Sequence, residues 1–100
     1  MNNVFELTEK FGRTIYLTNE RWNHIKSDHV EMSAELENIK TVLKEPNFVK
    51  KSEYDENVRF YYGYCKDRKS QAKYLLIAIK YLNGNGFIIT AFYTNRVKGL

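Results

Sequence analysis

The chain changes its hydrophobic period once, at its only proline, and that change constrains the fold more than any other feature. Before Pro46, Leu36, Ile39, Val42 and Leu43 recur at helical spacing and form one apolar stripe. Ser33 is placed to cap this helix, Lys40 and Lys44 favour its carboxyl end, and Pro46 stops it. After Pro46 apolar and polar residues alternate, and strands are expected over residues 48–54, 58–66, 74–82 and 87–95. Asp55-Glu56-Asn57, a charged loop over residues 67–71, and Asn83-Gly84-Asn85-Gly86 join them. The last of these is a tight-turn signal, because asparagine and glycine tolerate positive φ. Connections this short predict an antiparallel meander.

Upstream, residues 13–17 (Arg-Thr-Ile-Tyr-Leu) read as a short β-type run. Thr18 can cap a helix by accepting a free backbone N–H, with Glu20 in its first turn. Trp22, Ile25 and the aliphatic stem of Lys26 define that helix's inner face, and His29 falls at or just past its end. The expected architecture is one α+β domain over residues 1–100, with two N-terminal helices packed on a four- to five-stranded antiparallel sheet. Alternation puts Leu75, Ile77, Ile79 and Tyr81 toward the helices, and Arg59 and Tyr61 opposite Val58 and Phe60. In the last strand it groups Ile88, Thr90 and Phe92 on one face and Ile89, Ala91 and Tyr93 on the other. A partly polar sheet face carrying Arg59, Lys80 and Thr90 is compatible with this alternation.

A single cysteine, Cys65, excludes an internal disulfide framework. No apolar run approaches the ~20 residues that cross a bilayer, and the first thirteen residues lack the apolar core of a signal peptide. A cytoplasmic protein without a membrane partner is the expectation. Charge is unevenly spread: residues 1–45 carry net −2 and residues 46–100 net +6. The basic half also holds most of the aromatic residues, a combination suited to phosphates and unstacked bases.

Both histidines, His24 and His29, fall within the segment from Arg21 to Glu31. Imidazole changes charge near neutral pH, so two of them beside cations can supply an acid and a base. Five residues apart on a helix they are separated by ~140°, a poor match to the i, i+4 histidines of a zinc-binding helix. No metal or other cofactor is therefore expected. Cleavage of RNA through its own 2′-hydroxyl needs only a base, an acid and cations for the charge that develops on phosphorus. Each histidine taken alone suits a capping or packing role better.

Several segments together resemble a known family: the run from Arg13 through Thr18, Arg21-Trp22-x-His24-Ile25 and His29-x-Glu31, then Glu45-Pro46-Asn47 and the closing Thr90-Ala91-Phe92. They are similar to phage-associated nuclease domains of the barnase–EndoU–colicin E5/D–RelE-like superfamily, and the likeness spans roughly residues 13–97. The resemblance implies a compact, metal-independent endoribonuclease, toxin-like, acting on tRNA or mRNA and held in check by an acidic antitoxin or immunity protein. Val30 stands where the family usually has proline, and Phe92 where tyrosine is common. The roles expected on this basis are His24 and His29 as acid and base, with Arg59 and Lys80 as transition-state cations. Thr90 is expected to orient a phosphate or a histidine; Arg21, Tyr61 and Glu31 are expected to contact substrate. The alternative is a catalytically inactive RNA- or protein-binding module of the same fold.

Overall fold

The computed structural model describes residues 3–97. In chain order they form β1 (Asn3–Thr8), β2 (Thr14–Thr18), α1 (Asn19–Asp28), a 3₁₀ turn (Val30–Ala34), α2 (Leu36–Lys44), β3 (Phe48–Lys51), β4 (Val58–Tyr64), β5 (Tyr74–Leu82) and β6 (Asn85–Thr94). The strands make one six-stranded mixed sheet of order β1-β2-β6-β5-β4-β3. The α+β class and the β3–β6 meander match expectation, and β5 has the expected bounds. Three features correct it. The helices lie between β2 and β3 rather than at the N-terminus, β1 adds an unanticipated edge strand, and β2 runs parallel to β6. None of the described helices is long and apolar enough to cross a membrane.

Local chemistry explains the element ends. The Thr18 hydroxyl accepts the Arg21 N–H at 3.1 Å and opens α1, and the His29 N–H closes it on the Ile25 carbonyl at 2.8 Å. Ser33 does not cap α2. It sits inside the 3₁₀ turn, its hydroxyl donates to the Val30 carbonyl at 3.0 Å, and α2 begins after Glu35. The β5–β6 hairpin turns on Asn83 (φ 54°) and Gly84 (φ 84°), the left-handed pair that matches strand twist.

The helices cover one sheet face. Trp22 and Ile25 of α1, Met32 of the 3₁₀ turn, and Ile39, Val42 and Leu43 of α2 pack on Ile15, Leu17, Leu75, Ile77 and Ile79. At Gly63 helix and sheet meet so closely that a Cβ would stand 2.3 Å from Val42 Cγ2. A smaller cluster of Tyr62, Leu76, Ala78 and Val97 lies on the other face. The register of β5 against β6 shifts between Ala78 and Ile79, leaving Ile89 as an extra residue in β6. This bulge inverts the alternation upstream of it: Ile88 joins Ala91 in the helix-side core, and Ile89 joins Phe92 on the outer side.

Candidate active site

β2 accompanies β6 only at Ile15↔Gly86 and Tyr16↔Phe87, after which the chain turns into α1. The remaining length of that β6 edge is met by α1 and the 3₁₀ turn. This places His29, the residue that closes α1, against Phe92: the two rings are 5.1 Å apart between centroids and tilted by 32°. Two segments of the resemblance, more than sixty residues apart, thus meet in space. Glu31 is exposed on the 3₁₀ turn and Arg21 is exposed on α1.

Thr90 stands two residues from Phe92 on the same face, whereas His24, Arg59, Lys80 and Tyr61 do not converge on this point. His24 is exposed and lines a shallow hollow with Glu20, Asn23 and Ser27. Cross-strand partners point to the same face, so pairing of Arg59 with Ile79 puts Arg59 on the helix side. Lys80 pairs with Val58 and Phe87, and Thr90 with Ala78, which places both on the outer side. A single polar face carrying Arg59, Lys80 and Thr90 is therefore corrected to Lys80 and Thr90 alone. The Arg59 guanidinium donates to the Glu56 and Val58 carbonyls, and Lys80 Nζ bonds Asp55 at 2.8 Å. Along β5, Lys80 stands four residues from Leu76, the partner of Phe92, or about 13 Å. Both cations thus lie toward the opposite end of the sheet from His29.

Tyr61 also departs from expectation. It is fully buried on the helix side, so it offers no ring face on which a base could stack. Its hydroxyl donates to Glu9 Oε2 at 2.7 Å, as does that of Tyr81, and the two hydroxyls are themselves 2.7 Å apart. Glu9 is 3% exposed, and its Oε1 accepts the Phe11 and Arg13 N–H groups at 2.7 and 2.9 Å. The Arg13 guanidinium covers the Tyr81 ring at 3.7 Å. Burial alone would raise the Glu9 pKa, but the Tyr61 hydroxyl, the Arg13 N–H, the Tyr81 hydroxyl and the Phe11 N–H outweigh it and hold it below the usual value. Burial, together with the neighbouring Glu9, pushes Tyr61 up to about 12 and Tyr81 higher still. This cluster fastens the β1–β2 hairpin to the sheet.

A second cluster, also absent from the sequence reading, lies at the end of the sheet where His29 meets Phe92. The start of α2, the end of β6 and the β4–β5 loop enclose an open cleft of about 410 Å³. Tyr93, next in sequence to Phe92 but facing the helices, donates its hydroxyl to Glu35 Oε1. Asn38 Nδ2 donates to the same oxygen at 2.8 Å. Cys65 Sγ is 3.9 Å from the Tyr93 hydroxyl, and the Arg68 guanidinium lies over the Tyr93 ring at 3.6 Å. Burial, the hydrogen bond to Glu35 and the nearby Cys65 raise the Tyr93 pKa, so the phenol stays protonated at neutral pH. Its residues come from three distant segments, and only the basic, aromatic character of the second half hinted at it. Among the described residues, no three His, Cys, Asp or Glu side chains group closely enough to hold a metal ion.

Comparison of this chain with protein-family models, with curated proteins and with solved structures found no match in any of the three.

Proposed function

We propose that this domain is a metal-independent endoribonuclease that cleaves RNA through attack of the 2′-hydroxyl, with His29 in acid–base contact with the scissile group. The observation that carries this reading is the His29–Phe92 contact. It brings the histidine segment and the closing Thr90-Ala91-Phe92 strand of the resemblance to one place. His29 is half-buried, so its imidazole is held by packing while still reachable by a ligand. The +6 half of the chain supplies the field that gathers a polyanion, and the same basicity suits an acidic inhibitor.

A second reading, an RNA- or protein-binding module without catalysis, is favoured by the dispersal of His24, Arg59 and Lys80 away from His29. One experiment separates them. The pure protein is incubated with total tRNA, and separately with DNA, in EDTA, beside a His29→Ala variant. Cuts ending in 2′,3′-cyclic phosphate, confined to RNA and to the parent protein, support the nuclease. Intact RNA with folded protein selects the binding module.

A further inference from the structure

We propose that the cleft formed by Glu35, Tyr93 and Arg68 binds one ribose–phosphate unit of an RNA strand, Arg68 taking the phosphate and Glu35 the neighbouring 2′-hydroxyl. The assignment rests on the reading of the domain as one that acts on RNA, and adds the subsite and its chemistry.

The argument begins with Arg68. Its Nε donates to the Ala72 carbonyl at 2.9 Å, and its guanidinium plane stacks on the Tyr93 ring. That leaves the terminal amino groups facing the cleft without a hydrogen-bond partner among the described residues. A stacked guanidinium with a free pair of donors matches two phosphate oxygens better than a lysine ammonium would. The loop that carries it is already ordered. Lys73 Nζ donates to the Lys66 and Arg68 carbonyls, the Cys65 N–H bonds the Lys73 carbonyl at 2.7 Å, and the Arg68 N–H bonds the Cys65 carbonyl at 3.2 Å. The cation is thus held in place before a ligand arrives, which lowers the ordering cost of binding.

Glu35 restricts what that ligand can be. Its Oε1 is occupied by Tyr93 and Asn38, whereas Oε2 carries no hydrogen bond among the described residues. A carboxylate beside the guanidinium repels a bare dianion, while Lys66 and Asp67 at the rim offset each other. The favoured ligand offers an anion to Arg68 and, a few ångströms away, a hydroxyl donor to Glu35. A ribonucleotide unit carries both; a deoxyribonucleotide lacks the 2′-hydroxyl. The volume of about 410 Å³ is of the size that takes one such unit.

The test is equilibrium binding of a twelve-residue single-stranded RNA, and of DNA of the same sequence, to protein carrying His29→Ala, with strand integrity checked by gel. Arg68→Ala is expected to weaken both ligands at least fivefold and to reduce the salt dependence by about one phosphate contact. Arg68→Lys should recover part of that loss. Glu35→Ala is expected to bring RNA affinity down to the DNA level while leaving DNA binding unchanged or slightly tighter. Chemical-shift mapping with adenosine 5′-monophosphate on the unsubstituted protein should move the Arg68 Nε–H and Tyr93 resonances, and it requires no variant to fold. Unchanged RNA affinity in Arg68→Ala, equal weakening of RNA and DNA by Glu35→Ala, or shifts confined to residues elsewhere would overturn the assignment. Should the parent bind RNA here yet leave it intact, the nuclease reading fails and the subsite stands; cleavage by the parent, with RNA affinity unchanged by Arg68→Ala and Glu35→Ala, gives the reverse.

Discussion

Glu9 and Tyr61 meet at 2.7 Å although they are 52 positions apart in the chain, and the carboxylate of that pair is buried. The contact ties the β1–β2 hairpin to β4, on the far side of the sheet, and it makes the hairpin's attachment depend on a charge. Glu9→Gln places an amide donor among hydroxyls and N–H groups that already donate, so a loss of about 2–3 kcal/mol is expected by chemical denaturation.

The same pair sets a pH dependence. The folded-state pKa of Glu9 lies below its unfolded value, so its stabilisation is complete above the ordinary glutamate value of ~4.3 and fades as pH falls through the folded pKa. Thermal melts between pH 7 and pH 2.5 should show the parent losing more stability on acidification than Glu9→Gln. Parallel curves would mean that Glu9 is not ionised in the fold.

At the helix–sheet contact, Gly63→Ala puts a methyl against Val42 and should cost about 1–3 kcal/mol. Combining it with Val42→Ala vacates the space and should recover part of the loss, a coupling readable in a double-mutant cycle by urea denaturation.

Of the two histidines, only His29 should matter for catalysis. His29→Ala should lower the RNA cleavage rate by about 100-fold or more, whereas His24→Ala, on the exposed flank of α1, should stay within about twofold. Phe92→Leu, which keeps the apolar contact but loses the ring, should give an intermediate loss. Equal effects at both histidines would place the chemistry on α1 instead of at its end.

In the β5–β6 turn, Gly84 has a φ of 84°. Gly84→Ala should therefore destabilise by about 1 kcal/mol, and Gly84→Asn by less, measured as the shift in the denaturation midpoint.

Elements with strong local patterns were legible in the sequence. Tyr74–Leu82 alternates over nine residues and is bounded by a charged loop and an Asn-Gly turn, so both its limits and its inward face could be read. Thr18 followed by Glu20 and Trp22 was enough to start α1. What was hidden depended on distant partners. Val4, Phe5 and Leu7 are only half-buried, so β1 lacks the pattern of a core strand and is held by pairing with β2 and by Glu9. The extra residue at Ile89 leaves no local mark, yet it moves every upstream side chain of β6 to the other face. Glu35, Tyr93 and Arg68 carry no mutual spacing signal, because a turn, a strand end and a loop bring them together only after the sheet forms. The histidine pair was legible as a segment, but a segment does not reveal that one ring reaches β6 while the other faces outward.

The parallel pairing of β2 with β6 also bears on when this domain can fold during synthesis. A hairpin made in the first twenty residues finds its sheet neighbour only in residues 86 and 87, near the far end of the described chain. Until those residues leave the ribosome, β1 and β2 have no sheet to join, and the apolar flank of β5 has no β6 beside it. Completion of the sheet is thus a late, non-local event, slow by the standards of chains this short. An emerging chain passes through a stage with open strand edges, in which it is a natural client for chaperones.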